Sequence, residues 1–284
     1  MNDQNEKLRV GILGTGAIGQ VMARAIDRGE IRAELVAFAD QDGARAEQFA
    51  ASLIHPAPVV SLDELVRRSD LIVEAASQAA LPSIVPKAIE AGKDLLIMSF
   101  GGLLGREAWF ELAREKGCRI HVPSGAIAGI DGLKAAARGR LRSATLTSRK
   151  PVAALRGAKY VVEKGIDLDA LKEDTIIFSG SPEEACRAFP ATSNVAATLR
   201  LAAGKSTEML VQVVAVPGGT ANVHEIEAVG DFGRMRVILE NVPSEDNPRT
   251  SRLAALSAVA TLDGIVAGTR TAACHEETAV PTSV

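Results

Sequence analysis

The chain has 284 residues, enough for one large domain or two modest ones, and 47% of them are hydrophobic, so a sizeable core is expected. Its formal net charge is −3, with acidic and basic residues interleaved, which argues against a nucleic-acid-binding stripe and against a basic membrane-binding patch. We therefore expect two domains and a small-molecule partner, with no nucleic acid and no membrane among the partners.

The cysteines and the amino terminus indicate the cellular setting. The three cysteines form no CxxC pair and no even framework, which is typical of free thiols in a reducing compartment. Residues 1–6 are polar, and no apolar stretch approaches the length that a bilayer requires. The sequence therefore predicts a cytoplasmic protein.

A strand, a glycine turn and a helix open the chain. The apolar strand Leu8–Leu13 runs into the motif Gly-Thr-Gly-Ala-Ile-Gly at 14–19, and apolar residues then continue at helical spacing. In such a unit the glycines permit a tight turn, close approach to a pyrophosphate and close packing of helix on strand. The helix N-terminus then presents free N–H groups to the phosphates. We assign dinucleotide binding to Gly14, Gly16, Ala17, Ile18 and Gly19.

A carboxylate follows the second apolar run, Leu35–Ala39. Asp40 lies about 20 residues beyond the last glycine of the motif, where a carboxylate accepts hydrogen bonds from the ribose hydroxyls. It also repels a 2′-phosphate, which favours NAD over NADP. Arg45 is close enough in sequence to bind such a phosphate, so NADP stays possible. The alternative for Asp40 is an ordinary turn residue.

Short apolar runs alternate with helical patterns up to residue 122, which predicts βαβ units and a doubly wound (Rossmann-type) parallel sheet. The expected strands are Leu8–Leu13, Leu35–Ala39, Val59–Val60, Leu71–Glu74, Leu95–Ser99 and Ile120–Val122. Helices are expected after Gly19 and over Gly43–Leu53, Leu62–Arg68, Pro82–Ala91 and Arg106–Lys116. Pro86 predicts that the fourth helix begins there or is kinked.

The second half alternates with period two, which predicts a second α+β domain on a largely antiparallel sheet. Its expected strands are Ala144–Thr147, Thr175–Phe178, Met209–Val216, Val223–Val229 and Met235–Leu239, interrupted by one helix, Val195–Ala203. After Asn247-Pro248 a last helix runs from Arg249 to about Leu262 and packs back on the first domain, followed by a frayed tail beyond Gly268. We thus divide the chain into a dinucleotide-binding domain, 1–130 with 245–284, and a substrate and oligomerisation domain, 131–244.

Small residues follow the carboxyl ends of several predicted parallel strands, where an open sheet binds its ligand. Ala75-Ala76-Ser77 follows the fourth strand, and Ser124-Gly125-Ala126 follows the sixth. Small side chains let a dinucleotide lie against the backbone, so Ala76 and Ser77 join the cofactor site. Taken singly, each of these segments fits an ordinary tight turn better, and only their joint placement favours a cofactor site.

The candidate acid or base is a histidine on a predicted strand. His224 shares a face with Ile226 and Ala228, and its pKa range suits proton transfer near neutrality. A hydrogen-bonded structural histidine is the alternative, and His121 is the main competitor for the catalytic role. Glu225 and Glu227 point to the strand face opposite His224, so no metal site is expected.

Two adjacent cations follow the strand Ala144–Thr147. Arg149 and Lys150 suit a substrate carboxylate, arginine through a two-pronged contact and lysine as a point charge. Solvated loop charges are the alternative for both.

Several segments together resemble the L-aspartate dehydrogenase family over nearly the whole chain. They are residues 11–19, Pro123–Gly129, Thr147–Pro151, Phe189-Pro190 with Asn194–Ala196, Asn222–Ile226, Gly230–Gly233, Asn241–Ser244 and Asn247–Ser251. The resemblance implies that His224 is catalytic, that Ala126 and Asn194 contact NAD, and that the protein forms homo-oligomers. We expect Asn194 to be a helix N-cap as well.

The resemblance implies reversible oxidative deamination of L-aspartate to iminosuccinate, and onward to oxaloacetate and ammonia, in a context of NAD biosynthesis. His224 is expected to act as the acid or base, while Arg149, Lys150 and the backbone around Ser124 bind the two substrate carboxylates. Two alternatives stay open. One is another NAD(P)-dependent oxidoreductase on this scaffold, such as a homoserine-dehydrogenase-like or dihydrodipicolinate-reductase-like enzyme. The other is a non-catalytic NAD-sensing module.

Overall fold

The computed structural model describes residues 7–190, 194–242 and 251–276, with only the backbone course for 269–276. The strands in this part of the chain are β1 (Leu8–Leu13), β2 (Ala33–Ala39), β3 (Leu71–Glu74), β4 (Asp94–Ile97), β5 (Ile120–His121), β6 (Leu141–Pro151), β7 (Thr175–Gly180), β8 (Glu208–Val216), β9 (Asn222–Gly230) and β10 (Gly233–Asn241). The helices are α1 (Ala17–Asp27), α2 (Gly43–Ala50), α3 (Leu62–Arg68), α4 (Leu81–Glu90), α5 (Glu107–Glu115), α6 (Ile130–Ala136), α7 (Val152–Leu155), α8 (Lys159–Glu163), α9 (Pro182–Ala188), α10 (Asn194–Ala203) and α11 (Arg252–Glu276).

The first sheet holds β1 to β5 in the order β2-β1-β3-β4-β5, and every neighbouring pair is parallel. Its strands are apolar runs, as expected for a parallel sheet covered by helices, and β3 is buried along its whole length. The strand order reverses between β1 and β3, and open sheets of this kind bind ligands beyond the carboxyl ends of the strands at that point. The predicted doubly wound parallel sheet is confirmed.

In this half the predicted strand at Val59–Val60 was wrong, whereas the fourth helix lies within one residue of its predicted bounds. Val59 forms only an isolated parallel bridge with Phe38, because Pro58 before it has no N–H to contribute to a ladder. The fourth helix begins at Leu81, with Pro82 in its first turn where a missing N–H costs little. Pro86 therefore lies inside this helix and does not start it.

The second sheet has the order β10-β9-β6-β8-β7, with β6 and β8 parallel and the other three pairs antiparallel. On one face of this sheet, alternate residues are buried against α6, α9 and α10. They form an apolar cluster that is separate from the core of the first sheet. The mixed, largely antiparallel sheet matches the expectation. Sequence reasoning missed four short helices around it, α6 to α9, because each spans too few residues to show a helical period.

Helix α11 returns to the first half of the molecule and packs against α1, with Ala258, Leu262 and Val266 buried in the first core. The helix continues past its expected end near Leu262 through Glu276, so the tail does not begin at Gly268 as expected, and residues 277–284 lie outside the described residues. The predicted cap at 247–248 lies outside the described residues. None of the helices in the described ranges is both long and apolar enough to cross a bilayer.

Candidate active site

A cavity of about 690 Å³ lies between the two sheets. The loops after β1, β3 and β4 form one side, at the switch point of the parallel sheet. The other side comes from β6, β9, α10 and the start of α11. Its volume is in the range of pockets that hold small organic ligands.

The glycine turn after β1 has the shape that a dinucleotide requires. Gly14 has φ +99°, and a Cβ there would lie 2.6 Å from the backbone oxygen of Ala75. A Cβ on Gly19 would lie 2.1 Å from the oxygen of Gly14, so helix and turn pack without room for a side chain. A Cβ on Gly16 would meet only the Ala75 oxygen, 4.0 Å away, and the N-terminus of α1 has neither a side-chain cap nor an acidic residue in its first turn. The free N–H groups of α1 are therefore available to phosphate oxygens.

Asp40 is tied to this same turn. Its buried carboxylate accepts hydrogen bonds from Thr15 N at 2.6 Å, Thr15 Oγ1 at 2.7 Å and Asp42 N at 2.9 Å, and it pairs with Arg45 at 2.9 Å. Burial alone would raise the pKa of Asp40, but these hydrogen bonds outweigh it and lower the pKa to about 2. Asp40 does not line the cavity itself; it lies on the glycine turn beside it, with the half-exposed Arg45 next to it.

Glu74 is a buried residue of this region that sequence reasoning did not single out. Its carboxylate accepts hydrogen bonds from Ala76 N at 2.9 Å, Ser99 N at 3.0 Å and Ser99 Oγ at 2.9 Å, so it joins the loops after β3 and β4. Burial raises the pKa of Glu74 despite these hydrogen bonds. The signal in the sequence that could have identified Glu74 is a carboxylate at the end of an otherwise apolar parallel strand.

The structure brings together most of the remaining predicted cofactor residues. Ala76, Ser77, Ala126 and Asn194 all line the cavity with Gly16, Ala17 and Ile18. The Asn194 side chain accepts from Gly101 N and donates to Met98 O, both at 3.1 Å, so it holds the loop after β4 and is not a helix cap. Ser124 is not in the wall, although its neighbours Gly125 and Ala126 are.

Four polar side chains line the cavity from the second sheet or lie directly behind its wall. Ser148 and Lys150 alternate on β6 and are buried, as are Asn222 and His224 on β9. Ser148 is the register partner of His224, and Oγ of Ser148 lies 2.9 Å from Nδ1 of His224. The ladder between the two strands ends at Arg149 and Val223, and the next residues, Lys150 and Asn222, both line the cavity. We call Ser148, Lys150, Asn222 and His224 the polar floor of the cavity.

Burial sets the protonation states in the polar floor. It lowers the pKa of Lys150 to about 8, and the described residues provide no carboxylate to oppose this shift. Burial, with the positive charge of Lys150 as a second cause, lowers the pKa of His224 to about 3. At neutral pH, His224 is therefore an uncharged imidazole, and because Nδ1 faces Ser148, its Nε2 is the nitrogen left for a ligand.

Two candidate functional residues from the sequence do not line the cavity. Arg149 alternates to the opposite face of β6 and pairs with Asp174, Nη1 to Oδ2 at 2.6 Å, so the structure does not bring it to the cavity. His121 lies outside the cavity wall, with Nε2 3.9 Å from the Asp94 carboxylate. Among the described residues, no cluster of three or more histidine, cysteine or acidic side chains could hold a metal.

Two sequence families match the two halves of the chain. Residues 14–123 match the family described as homoserine dehydrogenase, NAD binding domain, and residues 131–265 match the family described as aspartate dehydrogenase, C-terminal. The doubly wound sheet with its glycine turn, joined to this second region across one cavity, defines an NAD(P)-dependent amino-acid dehydrogenase.

The chain belongs to the L-aspartate dehydrogenase family. It is 48% identical to L-aspartate dehydrogenase of Methanosarcina acetivorans over 91% of this chain and 97% of that protein. It is 42% identical to L-aspartate dehydrogenase 3 of Bordetella bronchiseptica, over 90% and 94% of the two chains. The resemblance seen in the sequence motifs is thus confirmed.

Solved structures confirm the fold. The crystal structure of aspartate dehydrogenase from Thermotoga maritima is similar with a TM-score of 0.66 at 22% identity, over 97% of this chain and 99% of that one. A homoserine dehydrogenase from Thiobacillus denitrificans is similar with a TM-score of 0.60 at 16% identity, over 96% and 76%. At these identities the likeness concerns the fold alone.

Proposed function

We propose that the protein catalyses the NAD(P)-dependent, reversible oxidative deamination of L-aspartate to iminosuccinate, which hydrolyses to oxaloacetate and ammonia. The observation that carries this proposal is the polar floor. A neutral buried histidine and a buried lysine face the same cavity as the glycine turn, and no carboxylate among the described residues pairs with this lysine. Buried cations are normally paired, so an unpaired one in a cavity is suited to an anionic ligand.

The cofactor proposal rests on the walls of the cavity and the turn beside it. Gly14, Gly16, Ala17, Ile18 and Gly19 would hold the pyrophosphate, Asp40 the adenosine ribose, and Ala76, Ser77, Ala126 and Asn194 the rest of the dinucleotide. When bound, the nicotinamide supplies the hydride chemistry. We propose NAD as the preferred cofactor because the low pKa of Asp40 keeps its carboxylate charged, while Arg45 beside it leaves NADP possible.

Substrate carboxylates are the proposed ligands of Lys150. Its ammonium lies in the polar floor, and the backbone of Gly125 and Ala126 lies in the cavity wall, where N–H groups can assist. Arg149 has no part in this proposal, since its side chain pairs with Asp174 on the other sheet face.

His224 is the proposed acid and base. In the deaminating direction, Nε2 accepts a proton from the water that attacks iminosuccinate, and in the aminating direction the imidazolium returns it. Ser148 orients the ring through Nδ1. Two substrate carboxylates next to Lys150 would offset its positive charge, which raises the pKa of His224 toward the range where proton transfer is efficient.

The test of this function is turnover with a panel of substrates. The purified protein is mixed with NAD or NADP and with L-aspartate, D-aspartate, L-glutamate, L-alanine or L-homoserine, and the absorbance of reduced nicotinamide is followed. Turnover confined to L-aspartate supports the proposal. Activity with homoserine alone would instead support a homoserine-dehydrogenase-like enzyme, and tight NAD binding with no turnover would support a sensing module.

Replacing Asp40 with alanine is expected to weaken NAD binding by about tenfold and to reduce the discrimination against NADP, because the ribose loses an acceptor and a 2′-phosphate meets less repulsion. Titration of both cofactors by protein fluorescence or calorimetry measures this. The matched variant is Asp40→Ala combined with Arg45→Ala, which should lose the gain in NADP affinity if Arg45 binds the phosphate. An unchanged NAD/NADP ratio in Asp40→Ala would contradict the assignment.

We also propose that the protein self-associates. The outer face of the second sheet exposes three large apolar side chains, Ile176, Leu210 and Ile238, which a second copy would cover. Sedimentation velocity is expected to give a dimer or a larger homo-oligomer at micromolar concentration, and a monomer there would refute the proposal.

The division into domains and the cellular setting remain proposals too. Sheet membership and the packing of α11 on α1 support a dinucleotide-binding domain of 1–130 with 245–284 and a second domain of 131–244. The buried free thiol of Cys118 supports a cytoplasmic location, where iminosuccinate would be available to NAD biosynthesis.

A further inference from the structure

One polar group in the polar floor is not used by the proposed chemistry. Asn222 is 6% exposed and lines the cavity, and its Oδ1 has no hydrogen-bond partner among the described residues. Buried side-chain oxygens are nearly always hydrogen-bonded, because an unpaired one loses its water without compensation. An orphaned acceptor in a ligand cavity therefore indicates a donor on the ligand.

The residue paired with Asn222 on the neighbouring strand has no such unsatisfied oxygen. Asn241 on β10 is the register partner of Asn222 and is also buried. Its side chain is fully engaged, since Nδ2 donates to Ala126 O at 3.1 Å and Oδ1 accepts from Ser251 Oγ at 2.7 Å. These two paired asparagines thus differ in their hydrogen bonds: the amide of Asn241 holds the cavity wall, whereas Oδ1 of Asn222 has no partner in the described part of the chain.

The chemistry of the neighbours defines which donor fits. Lys150, which lines the same cavity as Asn222, is a cation suited to a carboxylate, and His224 lies two residues from Asn222 along β9. A carboxylate has no hydrogen to donate at neutral pH, so it cannot satisfy Oδ1. An α-amino group, whether charged or neutral, donates N–H, and so does ammonia.

We propose that Oδ1 of Asn222 accepts a hydrogen bond from the substrate amino group, and from ammonia in the aminating direction. The inference rests on the proposed deamination of an amino acid and adds the group that selects amino acids over other dicarboxylates. Lys150 holds a carboxylate, Asn222 holds the nitrogen, and His224 Nε2 stands beside them for proton transfer.

The test compares ligands with and without an amino group. For the parent enzyme and Asn222→Leu, KM for L-aspartate, the inhibition constant of succinate and, in the aminating direction, KM for ammonium and for oxaloacetate are measured. We expect KM for L-aspartate and for ammonium to rise about tenfold or more in Asn222→Leu, whereas succinate inhibition and KM for oxaloacetate change less than about twofold. The leucine variant should unfold at the same temperature as the parent or higher, because it removes an unpaired buried acceptor.

Asn241→Leu is the matched control. It is expected to lower the unfolding temperature and to leave the ratio of aspartate KM to succinate inhibition constant unchanged, since its amide serves the cavity wall. Asn222→Ser gives the same amine-selective change if the leucine variant does not fold. Equal weakening of aspartate and succinate, or no change in either, would overturn the proposal. Lack of aspartate turnover in the parent enzyme would instead refute the proposed function itself.

Discussion

Replacing His224 with alanine is expected to lower kcat with L-aspartate by about 100-fold or more, because proton transfer by a positioned side chain contributes that much to rate. NAD affinity should stay near the parent value, since the imidazole contacts Ser148 and the cavity and not the glycine turn. Steady-state kinetics and cofactor titration measure the two effects. Near-parental kcat would remove His224 from the mechanism.

Two further variants serve as controls for the catalytic role of His224. His121→Ala removes a histidine that lies outside the cavity and is expected to retain kcat within about twofold. His224→Gln fills more of the volume that alanine leaves empty, so a similar loss of kcat in both variants, with parental unfolding temperatures, assigns the effect to the lost proton acceptor.

Lys150→Met is expected to raise KM for L-aspartate and the inhibition constant of succinate by about 10- to 100-fold, because a charge-assisted hydrogen bond to a carboxylate is lost inside a buried site. The variant should be at least as stable as the parent, since methionine replaces a buried cation for which the described part of the chain provides no carboxylate. Arg149→Met is the matched control: it is the adjacent cation, on the opposite face of β6, and should change neither constant. Equal effects at both positions would contradict the assignment.

The pH dependence of succinate binding gives an independent readout for Lys150. Burial places the pKa of Lys150 in the free protein at about 8. Below that pH the ammonium is charged and binding is strong; as pH rises through 8 the free lysine loses its proton and the affinity for succinate falls. Lys150→Met should show no such decline, and its His224 should have a higher pKa because the neighbouring positive charge is gone.

The secondary structure of the first half of the chain could be predicted because the sequence signals for it are local. The strand, glycine turn and helix at the amino terminus depend on sequence neighbours alone, so their positions agree with the structure within a few residues. Expectations failed where a single neighbouring residue or a very short element decides the structure. Val59 lacks a ladder because a proline precedes it, and α6 to α9 are too short for periodicity to detect.

For the residues of the polar floor, too, one part was predictable from the sequence and another was not. Alternation on the predicted strands correctly placed His224 with Ile226 on one buried face. It did not show that Lys150 faces inward and Arg149 outward, since the predicted strand stopped at Thr147 whereas β6 runs through Pro151. Extending the strand by four residues decides which of the two cations reaches the cavity.

By itself, the sequence determined the βαβ order, the glycine turn, the family and the identity of the candidate histidine, because each of these is written in contiguous motifs or in strand periodicity. Only the tertiary structure decided which side chains share the cavity, because that depends on the register between β6 and β9 and on how the second sheet sits against the switch point of the first. Burial, which lowers the pKa values of Lys150 and His224 and leaves Asn222 Oδ1 without a partner, arises from this packing of distant segments.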